Sequence, residues 1–518
     1  MAAEFPKAAL LSVADHSGIV ELAQGLQELG YRILSSGGTS ATLKEAGIQH
    51  EDVTELTGQP DICGGRVRLI HPRLFAGLIA ERRDGDQMRD LDREKIPVID
   101  LAAVNLYPLA NIPQLGDSSK RDILDFLDVS GSALLRAAAR NYPSVITLCD
   151  PNDYMPVLDT LKKRRRLPIE RSQSLAAKAF YYVSYYDSTI AQYLSSALKE
   201  MPDEMVLALK KSSELRAGEN PHQRAALYDR SGSRPWGLNA AELFFGKPLS
   251  YNHYIGMDRA VELAAEFAEP ACAIVIHGNP AGAAAAEHLG LAAQLAYRAD
   301  PRGCTGGVAA FNREVNGEAA SALAAEYLEC IVAPDFSGEA LDILRAKKNV
   351  RLVRLPSLLL SPNEIDIKTI SGGVLLQDRD NPKVPEMLKT VTRRAPSELE
   401  TPGLRLAWKV CKHTATHAAV FARSLSTVGI AAGQATRLDA VRLAIVKSQE
   451  RHPVISPNDI LVFASDSGLG PDHLQEAADA GATACIQPGG TSADREAVQL
   501  ADELNMAMVF TGIRHHRH

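Results

Sequence analysis

The strongest constraint on this chain is an alternation. Short apolar runs end in small polar residues, and each is followed by a stretch of helical periodicity. AALLSVA precedes GIVELAQGLQELG, RILSSGG precedes TSATLKEAG, and IDLAAVNLYP is a further run. Alternation of this kind implies an α/β fold, with a parallel sheet carrying helices on its faces. The strand ends then carry the polar loops.

The pattern continues. DILDFLDVSGSALLRAAARN reads as a loop entering an Ala-rich helix, SVITLCD as a strand, and Leu175–Leu198 as one long helix whose aromatic residues pack a core. A charged stretch, Pro202–Glu214, reads as a linker, with a boundary near residue 205. Beyond it ACAIVIHGNP and GVAAFN read as strands ending in loops, and ALAAEYLECIVAP as a helix followed by a strand. Gln377–Pro402, rich in Pro and charge, precedes a last unit with HAAVFARS, ILVFASDS, ATACIQPGG and MAMVFTG as strands. The expected parts are 1–204, 205–388 and 389–518, the last two being similar α/β subdomains. At 518 residues the chain exceeds one ordinary core, and each part is long enough to bury its own.

Composition excludes several classes. No apolar run approaches the length of a membrane span. The formal net charge of -7, from 56 basic and 63 acidic residues spread along the chain, argues against a bulk nucleic-acid binder. Seven scattered cysteines form no CxxC pair, so reduced and mostly buried thiols are expected. MAAEFPKAALLSVAD lacks the charged and apolar regions of a signal peptide, which points to a cytoplasmic location. The terminal GIRHHRH suggests metal less than it suggests solvated or phosphate-facing histidines, and no metal is expected.

Several motifs carry chemistry. In SSGGTS, the residues Ser35, Ser36, Gly37, Gly38 and Thr39 lie between a strand and a helix. Their N–H groups and hydroxyls can cradle a phosphate, or the segment is an ordinary glycine turn with a Thr39 cap. GGRVRLIHPR places Arg66, Arg68, His71 and Arg73 together, as an anion site or a solvated basic loop. AGENPHQ, with Asn220 and His222, and IHGNPAG, with His277 and Asn279, share Asn-Pro beside a histidine. Histidine serves as a general base near neutral pH, and Pro would fix the loop presenting it. Gln434 and Arg437 of AAGQATR, together with QPGGTS, make a ligand site more credible. No Walker loop, HExxH or GxSxG motif competes.

Taken in order, SVADHSG, SSGGTS, GGRVRLIHPRLFAGLIA, IDLAAVNLYPL, DVSGSALLRAAARN, LRAGENPHQRAALY, HGNPAG, IVAPDFS, AAGQATRLDAVR, QPGG and MVFTGIRHHRH resemble the bifunctional AICAR transformylase and IMP cyclohydrolase family over essentially the whole chain. The resemblance implies a methylglyoxal-synthase-like first domain, then two cytidine-deaminase-like subdomains without zinc. It also implies a homodimer with shared transformylase sites, a purine-type nucleotide substrate, and 10-formyltetrahydrofolate as cofactor. Catalytic roles fall to Arg68, Tyr107, Asp128 and Arg140 in one site, and to His277 and His417 in the other. Binding roles fall to Ser12, Ser35–Thr39, Arg66 and Asn105, and to Arg216, Asn220, His222, Asn279, Asp335, Gln434, Arg437 and Asp466. Neither nucleic acid nor membrane is implied as a partner.

The chain departs from the family pattern at identifiable positions. Arg68 and Arg140 stand where the family has Lys; Arg keeps the charge and can hold an oxyanion but is a poor proton donor. His16 and Ile276 also replace Lys, Leu69 replaces Thr, Ala217 replaces Tyr, Ala415 replaces Lys and His417 replaces Asn. Thr305 and Gly468 to Pro471 lack the aromatics that line the family's folate site. With the polar frame retained, these changes point to a divergent paralogue acting on AICAR or a related aminoazole-carboxamide ribonucleotide in a specialised nucleoside pathway. Two alternatives remain open: a cyclohydrolase whose transformylase half is inactive, and a non-catalytic nucleotide-binding regulator.

Overall fold

A computed structural model describes residues 7–107, 127–195, 201–231, 236–358, 365–381, 388–451 and 460–518. The chain divides into two compact units, Met1–Lys211 with Tyr228–Arg234, and Ser212–Leu227 with Pro235–His518.

In the first unit β1 (Ala8–Val13), β2 (Arg32–Ser35), β3 (Glu51–Asp52), β4 (Ile99–Asn105) and β5 (Ile146–Leu148) form a sheet of order β3-β2-β1-β4-β5. Every pair is parallel. Strand order reverses between β1 and β4, so the crevice beyond Val13 and Asn105 is the topological switch point where such sheets bind ligands. β1 is apolar throughout because both its faces are covered. Ala8 and Leu10 face helices Val129–Arg140 and Ile169–Ser195, whereas Ala9 and Leu11 face helices Ile19–Glu28 and Tyr154–Arg164.

The long helix begins at Ile169, earlier than the sequence suggested, and is described to Ser195; residues 196–198 lie outside the described residues. Its aromatic run is not wholly core. Tyr186 is buried and Tyr182 packs against the same cluster, but Tyr181 is 77% exposed. The expected linker over Pro202–Glu214 contains a strand, β6 (Leu209–Leu215), paired with β7 (Ala225–Arg230). Nearly all of β6 is exposed, so it carries no apolar alternation to read.

The second unit is built on twelve strands. They are β8 (Glu242–Phe245), β9 (Ala271–Ile276), β10 (Asn279–Ala285), β11 (Val308–Phe311), β12 (Cys330–Ala333), β13 (Arg351–Arg354), β16 (Lys389–Thr390), β17 (Ala419–Arg423), β18 (Ser426–Ala431), β19 (Leu461–Ser465), β20 (Ala482–Gln487) and β21 (Ala507–Phe510). A separate hairpin joins β14 (Ile365–Ile370) to β15 (Gly373–Asp378). The sheet order is β16-β21-β20-β19-β17-β18-β10-β9-β11-β12-β13-β8. Read outward from the centre, β10-β9-β11-β12-β13 is matched by β18-β17-β19-β20-β21, so two similar halves share one sheet.

Each half repeats the same close packing. At Gly282 of β10 a Cβ would lie 2.0 Å from the Ala296 carbonyl oxygen in helix Leu289–Ala299. At Gly429 of β18 it would lie 2.2 Å from that of Ala444 in helix Arg437–Arg451. The halves join where Ala284 pairs with Ser426. There the Thr427 hydroxyl accepts the Ala283 N–H at 3.0 Å and donates to the Ala283 carbonyl at 3.2 Å. One hydrophobic cluster, including Met257, Val275, Trp408 and Val462, runs through both halves. Among the described residues no helix is long and apolar enough to cross a membrane.

Candidate functional site

In the first unit the parallel strands deliver Val13, Ser35 and Asn105 to one edge. Asn105 is buried, and its Oδ1 accepts the N–H groups of Ala14 (2.6 Å) and Asp15 (2.8 Å). Ser35 Oγ donates to the Leu11 carbonyl (2.9 Å), and Thr39 Oγ1 accepts from Val13 N (2.8 Å) while donating to Val13 O (3.1 Å). These three candidate binding residues therefore build the loops. Ser12, half-buried, lies on β1 beside them.

Ser36, not Thr39, is the N-cap of helix Gly37–Glu45, and no side chain caps that helix. Gly37 has φ +56°, and Nη1 of Arg68 lies 2.9 Å from where a Cβ would stand there. His16 lies 3.5 Å from the corresponding point at Gly38. Both glycines are exposed. A helix N-terminus flanked by a guanidinium and an imidazole is suited to an anion such as phosphate. Asp61 holds Arg68 through two hydrogen bonds, which raise the guanidinium's pKa and lower that of the carboxyl. Arg68 is thus a fixed positive charge.

The basic cluster read from GGRVRLIHPR separates in the fold. His71 caps helix Pro72–Ile79 by accepting Arg73 N (3.2 Å), and Arg73 donates to the carbonyls of Glu94 (2.7 Å) and Lys95 (3.2 Å). Both residues are occupied by backbone groups, while Arg66 stays on the surface.

Tyr107, 38% exposed, directly follows Leu106, whose N–H is accepted by the Tyr182 hydroxyl at 2.9 Å. Asp128 caps helix Val129–Arg140 by accepting Gly131 N at 2.7 Å, and the Tyr186 hydroxyl accepts the Asp128 N–H at 3.0 Å. One face of the long helix thereby positions the neighbours of both catalytic candidates. Burial pushes the Tyr182 phenol up to about 12, so it remains protonated. Sequence reasoning missed this role, although the spacing of Tyr182 and Tyr186 by four was the available signal. Arg140 is at the other end of the same helix, about 18 Å from Asp128 along the axis. The two do not reach one small group.

In the second unit IHGNP forms a tight hairpin rather than a strand running into a loop. β9 ends at Ile276, which pairs with Asn279, and only His277 and Gly278 turn, at φ +48° and +77°. Two consecutive left-handed residues make the two-residue turn that suits strand twist, so Pro280 lies in β10 instead of fixing a loop. His277 is exposed at the tip.

The strand registers bring several candidates to this same edge. β10 and β18 are antiparallel, and Ala419 at the start of β17 faces both Ala431 of β18 and Ser465 of β19. Asn279 Oδ1 accepts Ala415 N at 3.0 Å, connecting the two halves. Asp466 is fully buried and accepts Thr416 Oγ1 (2.7 Å), Ala418 N (3.1 Å) and Ser467 Oγ (3.1 Å). The backbones of His417 and Gln434 exchange hydrogen bonds at 3.2 and 3.3 Å, and Arg437 donates to the Gly468 carbonyl at 2.7 Å. Arg216, Asn220 and His222 are exposed on the β6–β7 loop. Gln223 Oε1 braces that loop by accepting Asn220 N (2.8 Å) and Nδ2 (2.9 Å). Asn252 Nδ2 reaches its Glu219 carbonyl at 3.3 Å, one turn from Ile255, which neighbours Gly278. The loop thus borders the His277 hairpin.

Asp335 is not brought into this cluster. It follows β12, which is parallel to β11, and β11 runs antiparallel to β9 with Phe311 opposite Cys272. Asp335 therefore leaves the sheet at the edge away from His277. At the positions where the resemblance implied aromatics, Thr305 donates to the Pro301 carbonyl (2.8 Å), and Leu469 turns into the core with its N–H on Gln487 Oε1 (2.7 Å).

The terminal histidines are not uniformly solvated. His515 is buried, bonded to Asp380 at 2.6 Å and packed on Trp408 with ring centroids 5.3 Å apart. Arg517 bonds Glu262 at 2.7 Å, and burial raises that carboxyl to about 7. His516 Nε2 meets Ser467 Oγ at 3.0 Å.

A parallel sheet with a switch-point crevice, followed by a pseudo-symmetric unit with His277 and His417 at one sheet edge, makes this a two-unit α/β chain. The profile of the MGS-like domain matches residues 18–132, and that of the AICARFT/IMPCHase bienzyme matches residues 138–447. The chain belongs to the AICARFT/IMPCHase bienzyme family. It is 41% identical to the bifunctional purine biosynthesis protein PurH of Persephonella marina, over 98% of this chain and 99% of that protein. Identity is 42% to the protein of the same name from Chloroflexus aurantiacus, over 98% of each chain, and 39% to that of Bacillus subtilis, over 99% of each. The crystal structure of ForH matches 37% of this chain and all of that chain at 35% identity, with a TM-score of 0.33.

Proposed function

We propose that this chain formylates AICAR and then closes the product to IMP. The observation carrying this reading is near-full-length identity of about 40% to bifunctional purine biosynthesis proteins, and it is supported by the division of the chain into two compact units. Residues 1–204 carry ring closure, and residues 205–388 and 389–518 together carry formyl transfer.

In formyl transfer the 5-amino nitrogen of AICAR attacks the formyl carbon of 10-formyltetrahydrofolate, and tetrahydrofolate leaves. His277, at the tip of a rigid turn, takes the proton lost by that nitrogen. Asn279, His417, Gln434, Arg437 and Asp466 shape the adjoining edge, and Arg216, Asn220 and His222 approach from the neighbouring loop. In ring closure the carboxamide nitrogen attacks the formyl carbon and water departs. Gly37, Gly38 and Arg68 hold the phosphate, while Tyr107 and Asp128 act at the ring. Arg68 works as a fixed charge, consistent with Arg standing where a proton donor would be Lys. A homodimer in the cytoplasm gives Asp335 a role that its own chain's cluster does not, by supplying it to the second copy's site.

Single-site variants test the division of labour. His277→Ala should abolish formylation of AICAR while leaving closure of formyl-AICAR intact, and Asp128→Asn should do the reverse. Loss of both activities in either folded variant would overturn the assignment of two independent sites.

A further inference from the structure

We propose that His417, Asp466 and His516 form a binding site for a first-row divalent transition ion, of which Zn2+ is the representative. One donor atom from each lies within 4.8 Å of the others, and among the described residues no other trio of His, Cys, Asp or Glu gathers this closely. The donors come from three segments far apart in sequence. His417 precedes β17, Asp466 follows β19, and His516 belongs to the tail beyond β21, all at one edge of the sheet.

Each donor is held independently of any ion. The His417 backbone is paired with Gln434, and Asp466 is buried with Thr416 Oγ1 on one carboxylate oxygen and Ala418 N on the other. The tail carrying His516 is fixed to the first segment twice, by Thr416 N to Arg517 O at 2.9 Å and Arg517 N to Thr416 Oγ1 at 3.0 Å. Trp408 and Asp380 hold its neighbour His515. A site preorganised in this way contracts onto a cation through small side-chain rotations.

The centre of the trio is marked by Ser467 Oγ, which lies 3.1 Å from His417 Nδ1, 3.1 Å from Asp466 Oδ1 and 3.0 Å from His516 Nε2. One hydroxyl proton satisfies the carboxylate, leaving both imidazoles to donate to the same oxygen. A cation drawing the three donors to about 2.0–2.2 Å uses the same convergence, each coordinating nitrogen belonging to a neutral imidazole whose single proton resides on the ring's other nitrogen. Ser467 then moves outward and hydrogen-bonds a ligand, the arrangement typical of residues behind metal ligands. Two imidazoles and one carboxylate favour Zn2+, Co2+ or Fe2+ over Mg2+ and Ca2+, which prefer all-oxygen sets. Three protein ligands leave at least one coordination position for water or another molecule. His417 and Asp466 also shape the edge assigned to formyl transfer, so the inference is tested by metal binding itself and not by that activity.

The test uses the full-length protein freed of metal with a chelator and titrated with Co2+, followed by visible absorption, then with Zn2+ in a calorimeter. One equivalent should bind at roughly micromolar or lower concentration, with a Co2+ d–d band that Zn2+ abolishes and millimolar Mg2+ does not. His417→Asn and His516→Phe should each weaken binding by about tenfold or more, while melting close to the metal-free parent. His518→Ala should bind as the parent does, since terminal histidines could otherwise chelate ions by themselves. Binding well below one equivalent, or binding unchanged in both His417→Asn and His516→Phe, would overturn the proposal.

Discussion

Replacing Glu266 by Gln should loosen the joint between the two halves of the second unit, by an amount that depends on pH. Glu266 lies just beyond helix Tyr251–Ala264 and meets Lys412 Nζ at 2.6 Å and His413 Nε2 at 3.2 Å at the end of helix Glu400–Lys412. Burial by itself would raise this carboxyl. The hydrogen bonds and charge of His413 and Lys412 outweigh it and hold the group at about 2, against an ordinary 4.5. The difference between those two values corresponds to about 3 kcal/mol. His413 gives the larger lowering contribution and Lys412 the smaller, and because burial also disfavours the charged form of His413, about 2 kcal/mol is the stabilisation to expect.

Because the folded-state pKa is depressed, this stabilisation is fully present above about 4.5 and is lost as pH falls toward 2. By pH 3 less than half should remain, at roughly 1 kcal/mol. The chain has two tryptophans, Trp236 and Trp408, and both belong to the second unit, so their fluorescence reports its unfolding alone. Urea titrations of the parent and Glu266→Gln at pH 7 and pH 3 measure the difference. Equal destabilisation at the two pH values, or none at pH 7, would refute the ionic account of this joint.

Other expectations follow from the same geometry. Gly282→Ala and Gly429→Ala each force a Cβ against a backbone carbonyl, and each should destabilise the second unit by about 2–4 kcal/mol in denaturant titrations. Arg68→Met should raise KM for ring closure by about 10- to 100-fold, the value of a charge-assisted phosphate contact, with formyl transfer unaffected; an unchanged KM would place the phosphate elsewhere. Ile276 lies directly before the His277 turn and opposite Asn279, so Ile276→Lys should increase the formyl-transfer rate in single-turnover assays. A slower variant would mean that added charge at this edge hinders His277.

The parallel sheet was legible because β1 and β4 are covered on both faces and read as continuous apolar runs. β6 was illegible for the opposite reason, being wet on nearly every side chain. STVGIA, which forms β18, carries Ser and Thr at one end and a glycine whose missing side chain admits a helix, and neither feature signals a central strand. Site residues divide in a similar way. His277, Asn279, Gln434 and Asp466 gather through long-range register, so their motifs could be recognised while their proximity could not be read locally. Arg73 and His71 resembled anion ligands, yet Arg73 Nη2 and His71 Nδ1 are engaged by backbone groups that only the fold reveals. Of the tail histidines only His515 departs from a solvated position, because the segments that bury it and align His516 lie far away in sequence.

The central claim is that one chain carries both reactions in succession. The direct measurement incubates purified protein with AICAR and 10-formyltetrahydrofolate labelled with 13C at the formyl group, and follows products by mass spectrometry. The account predicts IMP one mass unit heavier, formed in step with tetrahydrofolate, and closure of separately supplied formyl-AICAR. Recovery of both AICAR and formyl-AICAR unchanged would contradict it.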